Sequence, residues 1–442
     1  MYQLNAKDID DFNNDLKKQP EHDVISHAIQ NNGLLKTAED PQEVSKLQPT
    51  FSVEIPTGKV SNQKMSGRCW LFSFLNELKQ HVAKRIGVKD FQLSQKYEFF
   101  WDKIERANIF YGRIIDTAKK PLRDRMVTSI MASAGDEGGI WAKDVAIVEK
   151  YGIIPQSIYP DNVVTNNTMR FGRVLAMKLR RDAIRLRQMV QNGDTKEELV
   201  DTQRHMLSED YRIVAYCFGV PPKKFDFEYK DDNGKYHIDK GLTPKKFYKK
   251  YVKIDLDQYV VALNSPDQKM NQKYVLPTDD NVVGGKKNVF LNMPMKYLKQ
   301  AAIKQLKHGD PVWFGNDVIT QSDRKKGLLD GKLYRYDKLF NLNLSTTKAQ
   351  RLNYRMGCSS HDMALTGVDL VHGKPTRWKV QNSWGSKVGH KGYFVMSDDW
   401  MDKYVYSVAV KLQYLPKAQQ AINKQKAKVL KPWDPIATFF EI

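Results

Sequence analysis

The stretch "NQKMSGRCWLFSF", residues 62–74, places Cys69 at the head of an apolar run in a chain of 442 residues that holds 3 cysteines. A thiol attacks a carbonyl as the thiolate, so its ordinary pKa of about 8.5 has to be met by a helix N-terminus, an imidazole or both. Leu71, Leu75, Leu78, Val82 and Ile86 recur at steps of three and four, with Glu77, Lys84 and Arg85 off that stripe. The spacing predicts a long, half-buried helix with Cys69 in its first turn. The best-placed imidazole is His361 in "GCSSHDMALTG", where a strand is expected to begin. Asn382 in "VQNSWG" offers the acceptor that orients the ring, and Trp384 follows it as a shield against water. Gln63 can aim a side-chain amide at the oxygen that turns negative when a carbonyl is attacked, together with the Cys69 N–H. Each residue alone has a commoner reading: free cysteines are mostly buried small hydrophobes, as for Cys217 in "IVAYCFGV", and Asn-Ser or Gly-Gly pairs are mostly turns. Their joint occurrence in one order points to acyl transfer.

These residues have to be carried by elements from both ends of the chain. Residues 1–60 read as an N-terminal arm, with a helix at "AKDIDDFNNDLKKQ" and a strand at "TFSVEIPTG". Residues 61–164 read as a helical lobe around the Cys69 helix, with the loop "SAGDEGGIW" and a helix "AKDVAIVEKYG" closed by Gly152. Residues 165–305 read as a mostly helical, basic insertion, with a hairpin at the Asn-Gly of "FEYKDDNGKYHIDKG". Strand patterns dominate 306–415, ending in "YVYSVAVKLQYL", whose alternation predicts a half-buried strand. Residues 416–442 are expected to form a C-terminal helix and a tail.

Composition bounds the function. The chain has 71 Lys and Arg against 51 Asp and Glu, a formal net charge of +20, which attracts polyanions. The basic runs, such as "KLRRDAIRLRQ", lack a nucleic-acid recognition motif and read first as solvated helix faces, leaving nonspecific nucleic-acid binding as the alternative class of function. The cysteines at 69, 217 and 358 form no disulfide or zinc pattern, and the 9 histidines show no HExxH spacing, so no zinc site is expected. No run is long enough to span a membrane, and the polar N-terminus lacks the apolar core of a secretory signal, so a cytoplasmic location is expected.

The segments "NQKMSGRCWLF", "SSHDMALTGV" and "VQNSWG" resemble the cysteine, histidine and asparagine motifs of papain-like cysteine peptidases. With "EKYGIIPQSIYP", "PVWFGNDV", "KGYFVMSDDWMDKYVY" and "KPWDP", the chain is similar more narrowly to the bleomycin hydrolase and aminopeptidase C family, from the arm to residue 435. The resemblance implies an α+β, two-lobed papain-like fold and a peptidase acting on short peptides inside the cell. Cys69 would be the nucleophile, His361 the base and then the acid, Asn382 the orienting residue and Gln63 the oxyanion donor. Gly138 and Gly139 would hold the substrate main chain, and the assembly would be a homohexamer without cofactor. In aminopeptidases of this family the C-terminal carboxylate meets the substrate α-amino group. Here the tail is "PWDPIATFFEI", longer and bulkier, so either Ile442 or Glu441 still binds the ammonium, or the cleft opens and internal bonds become accessible to an oligopeptidase or endopeptidase. Asp362, directly after His361, also departs from the family pattern. It can raise the imidazole pKa, favour a basic group in the substrate, or turn to the opposite face of its strand.

Overall fold

Helix Cys69–Ile86 forms where the apolar stripe predicts it, and Gly87 ends it in the left-handed region at φ 64°. In the computed structural model, which describes residues 1–437, this helix is enclosed rather than half-buried. Trp70 and Leu71 join one apolar cluster with Phe99 and Phe100 of helix Gln95–Asp116. Phe74, Leu75, Leu78 and Val82 join another with Trp141, Tyr259 and Trp313. Even Glu77, on the polar side of the stripe, is 0% exposed. The helix runs between the two halves of the molecule, and a periodicity argument sees one buried face without seeing that the other also acquires a neighbour.

The start of this helix is fixed by a buried cation. Arg68 is 0% exposed and donates to Asp161 (2.7 Å), the Thr165 carbonyl (2.7 Å) and Ser66 Oγ (2.9 Å). Removing one partner of a buried pair leaves the other charge uncompensated. Arg68→Ala is expected to lower unfolding free energy by about 3 kcal/mol, the low end for such pairs because Asp161 retains some solvent contact. Urea denaturation followed by tryptophan fluorescence reads this directly.

The strands are β1 (Val53–Glu54), β2 (Phe225–Lys230), β3 (Tyr236–Leu242), β4 (Tyr259–Leu263), β5 (Gln272–Val275), β6 (Val289–Asn292), β7 (Val312–Asn316), β8 (Ser322–Asp323) and β9 (Leu328–Leu329). They continue with β10 (His361–Val371), β11 (Lys374–Gln381), β12 (Tyr393–Ser397), β13 (Val405–Lys411) and β14 (Lys428–Val429). β2 and β3 make the expected hairpin, with Gly234 at φ 81° in its turn. The others form one sheet in the order β14-β5-β6-β4-β13-β7-β10-β11-β12-β9-β8, with β1 added to β10. β4, β5 and β6 precede residue 306, so the stretch 165–305 is not a mostly helical insertion throughout. Its helices Met169–Asn192 and Lys196–Phe218 pack on the helical half through Phe171, Leu175, Leu179 and Phe218, while its later third builds the sheet. The short strands of four and five residues there gave too few alternations to read.

β13 was expected to be half-buried, but Val405 through Val410 are buried on both faces. One face meets the core with Met363, Trp378 and Trp400, the other brings Tyr406 and Ala409 to the Trp141 cluster. Residues 416–437 form the four-residue helix Lys417–Gln420, short 3-10 turns and β14 instead of one C-terminal helix. The expectations for Phe439, Phe440, Glu441 and Ile442, and for a tail in the cleft, lie outside the described residues.

Candidate active site

Cys69 is the first residue of its helix and is half-buried, with Arg68 at the N-cap making no side-chain cap. The first-turn N–H groups are therefore free to favour negative charge on the sulfur. The backbone N–H groups of Trp70 and Asp362 favour the charged form of the sulfur, and the Cys69 helix lies against the first peptide of β10. Ser73, one turn later, locks that contact: its hydroxyl lies 2.6 Å from the Asp362 carbonyl and 2.9 Å from the Cys69 carbonyl.

His361 opens β10, and its Nε2 lies 2.9 Å from Asn382 Oδ1. That bond uses one ring nitrogen and leaves Nδ1 for the thiol side. Trp384 stacks on the imidazole at 4.8 Å between ring centroids, the shielding position expected of it. Asn382 is 1% exposed and its Oδ1 also accepts from the Ser383 N–H at 2.7 Å. Ser383 in turn holds Gln63: its hydroxyl donates to Gln63 Oε1 (2.5 Å) and its carbonyl accepts from the Gln63 N–H (2.7 Å). Gln63 Nε2 donates one proton to the Ser66 carbonyl at 2.8 Å, leaving its second N–H unused by that bond. Gln63, Asn382 and His361 are thus one hydrogen-bonded series joined through Ser383.

Gly138 and Gly139 lie in the loop before helix Trp141–Tyr151. A Cβ on Gly139 would stand 2.2 Å from Trp70 Cδ2, so only glycine lets this strand of backbone back onto the residue after the nucleophile. The Gly138 carbonyl is turned away and gripped by Arg106 Nη2 at 2.6 Å. Glu137 ties the same loop down, its carbonyl accepting from Trp70 Nε1 (2.8 Å) and its carboxylate from the Gly67 N–H (2.9 Å). Arg106, Glu137, Ser73 and Ser383 were not read from the sequence. Ser73 carried a signal, since i and i+4 share a helix face and so meet the same neighbour as Cys69.

Burial sets the protonation of the pair. It pushes the Cys69 thiol up, with the Asp362 charge adding to the rise and the two backbone donors opposing it. It pushes His361 down to about 4, opposed by the Asn382 hydrogen bond. In both groups burial favours the uncharged form. Asp362 does not raise the imidazole pKa as one expectation had it: it points to the other face of β10, and burial drives its own carboxyl well above the usual range. Because the Asn382 bond favours the charged imidazole, Asn382→Ala is expected to move the acid limb of kcat/KM to lower pH and to lower kcat roughly 10-fold, the worth of one orienting hydrogen bond. A pH–rate profile measures both.

Helix and strand thus converge on a thiol, an imidazole, an amide that orients it and a second amide, and comparison with known proteins agrees. The model of the Peptidase C1-like family matches residues 3–437. Aminopeptidase G of Lactobacillus delbrueckii subsp. lactis is 46% identical over 99% of this chain and 100% of its own. Aminopeptidase C of the same organism is 43% identical over 97% and 96%. The crystal structure of PepW from Lactobacillus rhamnosis superimposes with a TM-score of 0.96 at 45% identity, covering 99% of both chains. The chain belongs to the Peptidase C1-like family, and is a cysteine-type peptidase of papain-like fold.

Proposed function

We propose that the protein is a thiol aminopeptidase acting on short peptides, with Cys69 as nucleophile, His361 as base and acid, Asn382 as orienting residue and Gln63 as oxyanion donor. The observation that carries this is the Cys69 sulfur, at a helix N-terminus, against the peptide that begins with His361, whose ring is held by Asn382 at 2.9 Å. His361 takes the thiol proton as the sulfur bonds to the carbonyl carbon, and Gln63 Nε2 with the Cys69 N–H supports the oxygen that becomes negative. The C–N bond then breaks, the imidazolium proton leaves with the amine, and water deprotonated by His361 releases the acyl group from the thioester. The aminopeptidase names of the relatives favour removal of N-terminal residues.

The test is one peptide with a free and with an acetylated N-terminus, its products identified by mass. Release of the first residue from the free peptide alone supports the proposal. Cleavage of both at an internal bond replaces it with an oligopeptidase.

Part of the proposal is a cytoplasmic homohexamer. Helix Ala6–Lys18 buries none of its residues and leaves Ile9, Phe12 and Leu16 about half exposed, a surface suited to another copy, and light scattering reads the mass. Among the described residues, no helix is long and apolar enough to cross a membrane. Nucleic acid would meet the exposed Arg170, Arg173, Arg180, Arg181 and Arg185 of helix Met169–Asn192, an attraction without sequence preference that salt removes.

A further inference from the structure

The loop that carries Gly138 and Gly139 packs on Trp70, the residue after the nucleophile, and its two central peptides can be followed group by group. In the Glu137–Gly138 peptide the carbonyl accepts from Trp70 Nε1 at 2.8 Å and the N–H donates to Asp136 Oδ1 at 3.0 Å. In the Gly138–Gly139 peptide the carbonyl accepts from Arg106 Nη2 at 2.6 Å. The fourth group, the Gly139 N–H, has no partner among the described residues, although Gly139 is buried. Buried backbone N–H groups are nearly always paired, so this one is left for a group from outside the chain. The peptide is trans, and its N–H points opposite to its carbonyl. By holding the carbonyl, Arg106 turns the Gly139 N–H away from helix Gln95–Asp116.

Arg106 is itself fixed. Its Nε donates to Asp102 Oδ2 at 2.7 Å, one turn earlier on the same helix. Asp102 is 0% exposed, and its other oxygen accepts from Asn281 Nδ2 at 2.9 Å. Arg106 Nη1 lies 3.5 Å from Asp136, the residue that holds the Gly138 N–H, and the guanidinium carbon is 5.5 Å from the Trp70 ring centroid. The planar fork thus ties the loop on both sides of Gly138 to one anchored carboxylate. Lys143 Nζ, the second cation near that carbonyl, stands 3.4 Å from it and is already engaged by Asp279 at 2.5 Å. A cavity of about 50 Å³ lined by Arg106, Asp136, Lys143 and Asn281 lies beside the guanidinium. That is room for a water, so a shorter side chain at 106 would leave the carbonyl solvated and its peptide free to turn.

We infer that Arg106 is a positioning residue of the substrate site: it locks the Gly138–Gly139 peptide so that the Gly139 N–H meets a carbonyl of the substrate main chain. The substrate as a peptide rests on the proposed function, so one readout stands without turnover, the protection of Cys69 against iodoacetamide by trialanine, free or N-acetylated. The other is the steady-state cleavage of the same peptide, with kcat taken per alkylatable Cys69. Arg106→Gln is expected to raise KM and the half-protecting concentration together by about fivefold, the worth of one hydrogen bond, with kcat within about twofold. Arg106→Lys keeps the charge that faces Asp102, and with it the fold, but a point charge cannot serve both that carboxylate and the carbonyl, so KM rises about threefold. The alkylation rate without peptide stays within about twofold in both. A merely structural arginine gives the opposite split, fewer active molecules with KM unchanged. KM and half-protection at the wild-type values in both variants overturn the inference. Protection that weakens in the variants without any cleavage would count against the peptidase reading and leave this one standing, whereas no protection of the wild type by either peptide overturns both.

Discussion

Cys69→Ala abolishes peptide cleavage, with kcat lower by about 10⁶-fold, while the fold is retained. The magnitude is that of removing a nucleophile whose partners work only through it. The fold is expected to survive because the helix is anchored by Trp70, Leu71, Phe74 and Leu75, all 0% exposed, and by Arg68 before it. Cys217 and Cys358 provide the internal control. Cys217 lies in the last turn of helix Lys196–Phe218, half-buried against the helical core, and Cys358 is buried in the loop before β10, so neither begins a helix. Stoichiometric alkylation should therefore fall by one fast-reacting thiol in the variant, and activity should fall with it. Unchanged cleavage by a folded Cys69→Ala protein would remove the basis of the proposed chemistry.

What could be read in advance was whatever is written locally. Cys69 in its first turn, His361 at a strand start and Asn382 with Trp384 each sit in a short segment whose pattern states both the element and the side chain's place on it. What could not be read depends on pairing across the chain. Ser73 meets the Asp362 carbonyl 289 residues away, Ser383 meets Gln63 across 320, and Arg68 meets Asp161 across 93. The same limit hid the burial of Glu77 and of both faces of β13, because enclosure is a property of neighbours that arrive from elsewhere.

His361→Ala is expected to lower kcat about 10²–10⁴-fold, the usual contribution of a positioned acid and base. The more discriminating result lies in the pH dependence of the thiol. In the wild type, proton transfer from Cys69 needs the neutral imidazole, whose pKa burial has lowered to about 4, so alkylation should rise as pH climbs through that value and then persist through neutrality. Without the imidazole, the thiol depends on its own pKa, which burial and the Asp362 charge push up and which the Trp70 and Asp362 N–H groups only partly offset. Alkylation of the variant at pH 6 should be nearly lost and should recover only in strongly alkaline solution. The sign separates two accounts of the site. If the N-terminus of helix Cys69–Ile86 alone sufficed to ionise the thiol, the variant would keep fast alkylation at pH 6 and lose only turnover. The enclosure of Cys69 between two lobes argues the other way: backbone dipoles support the thiolate once it forms, and His361 makes it form.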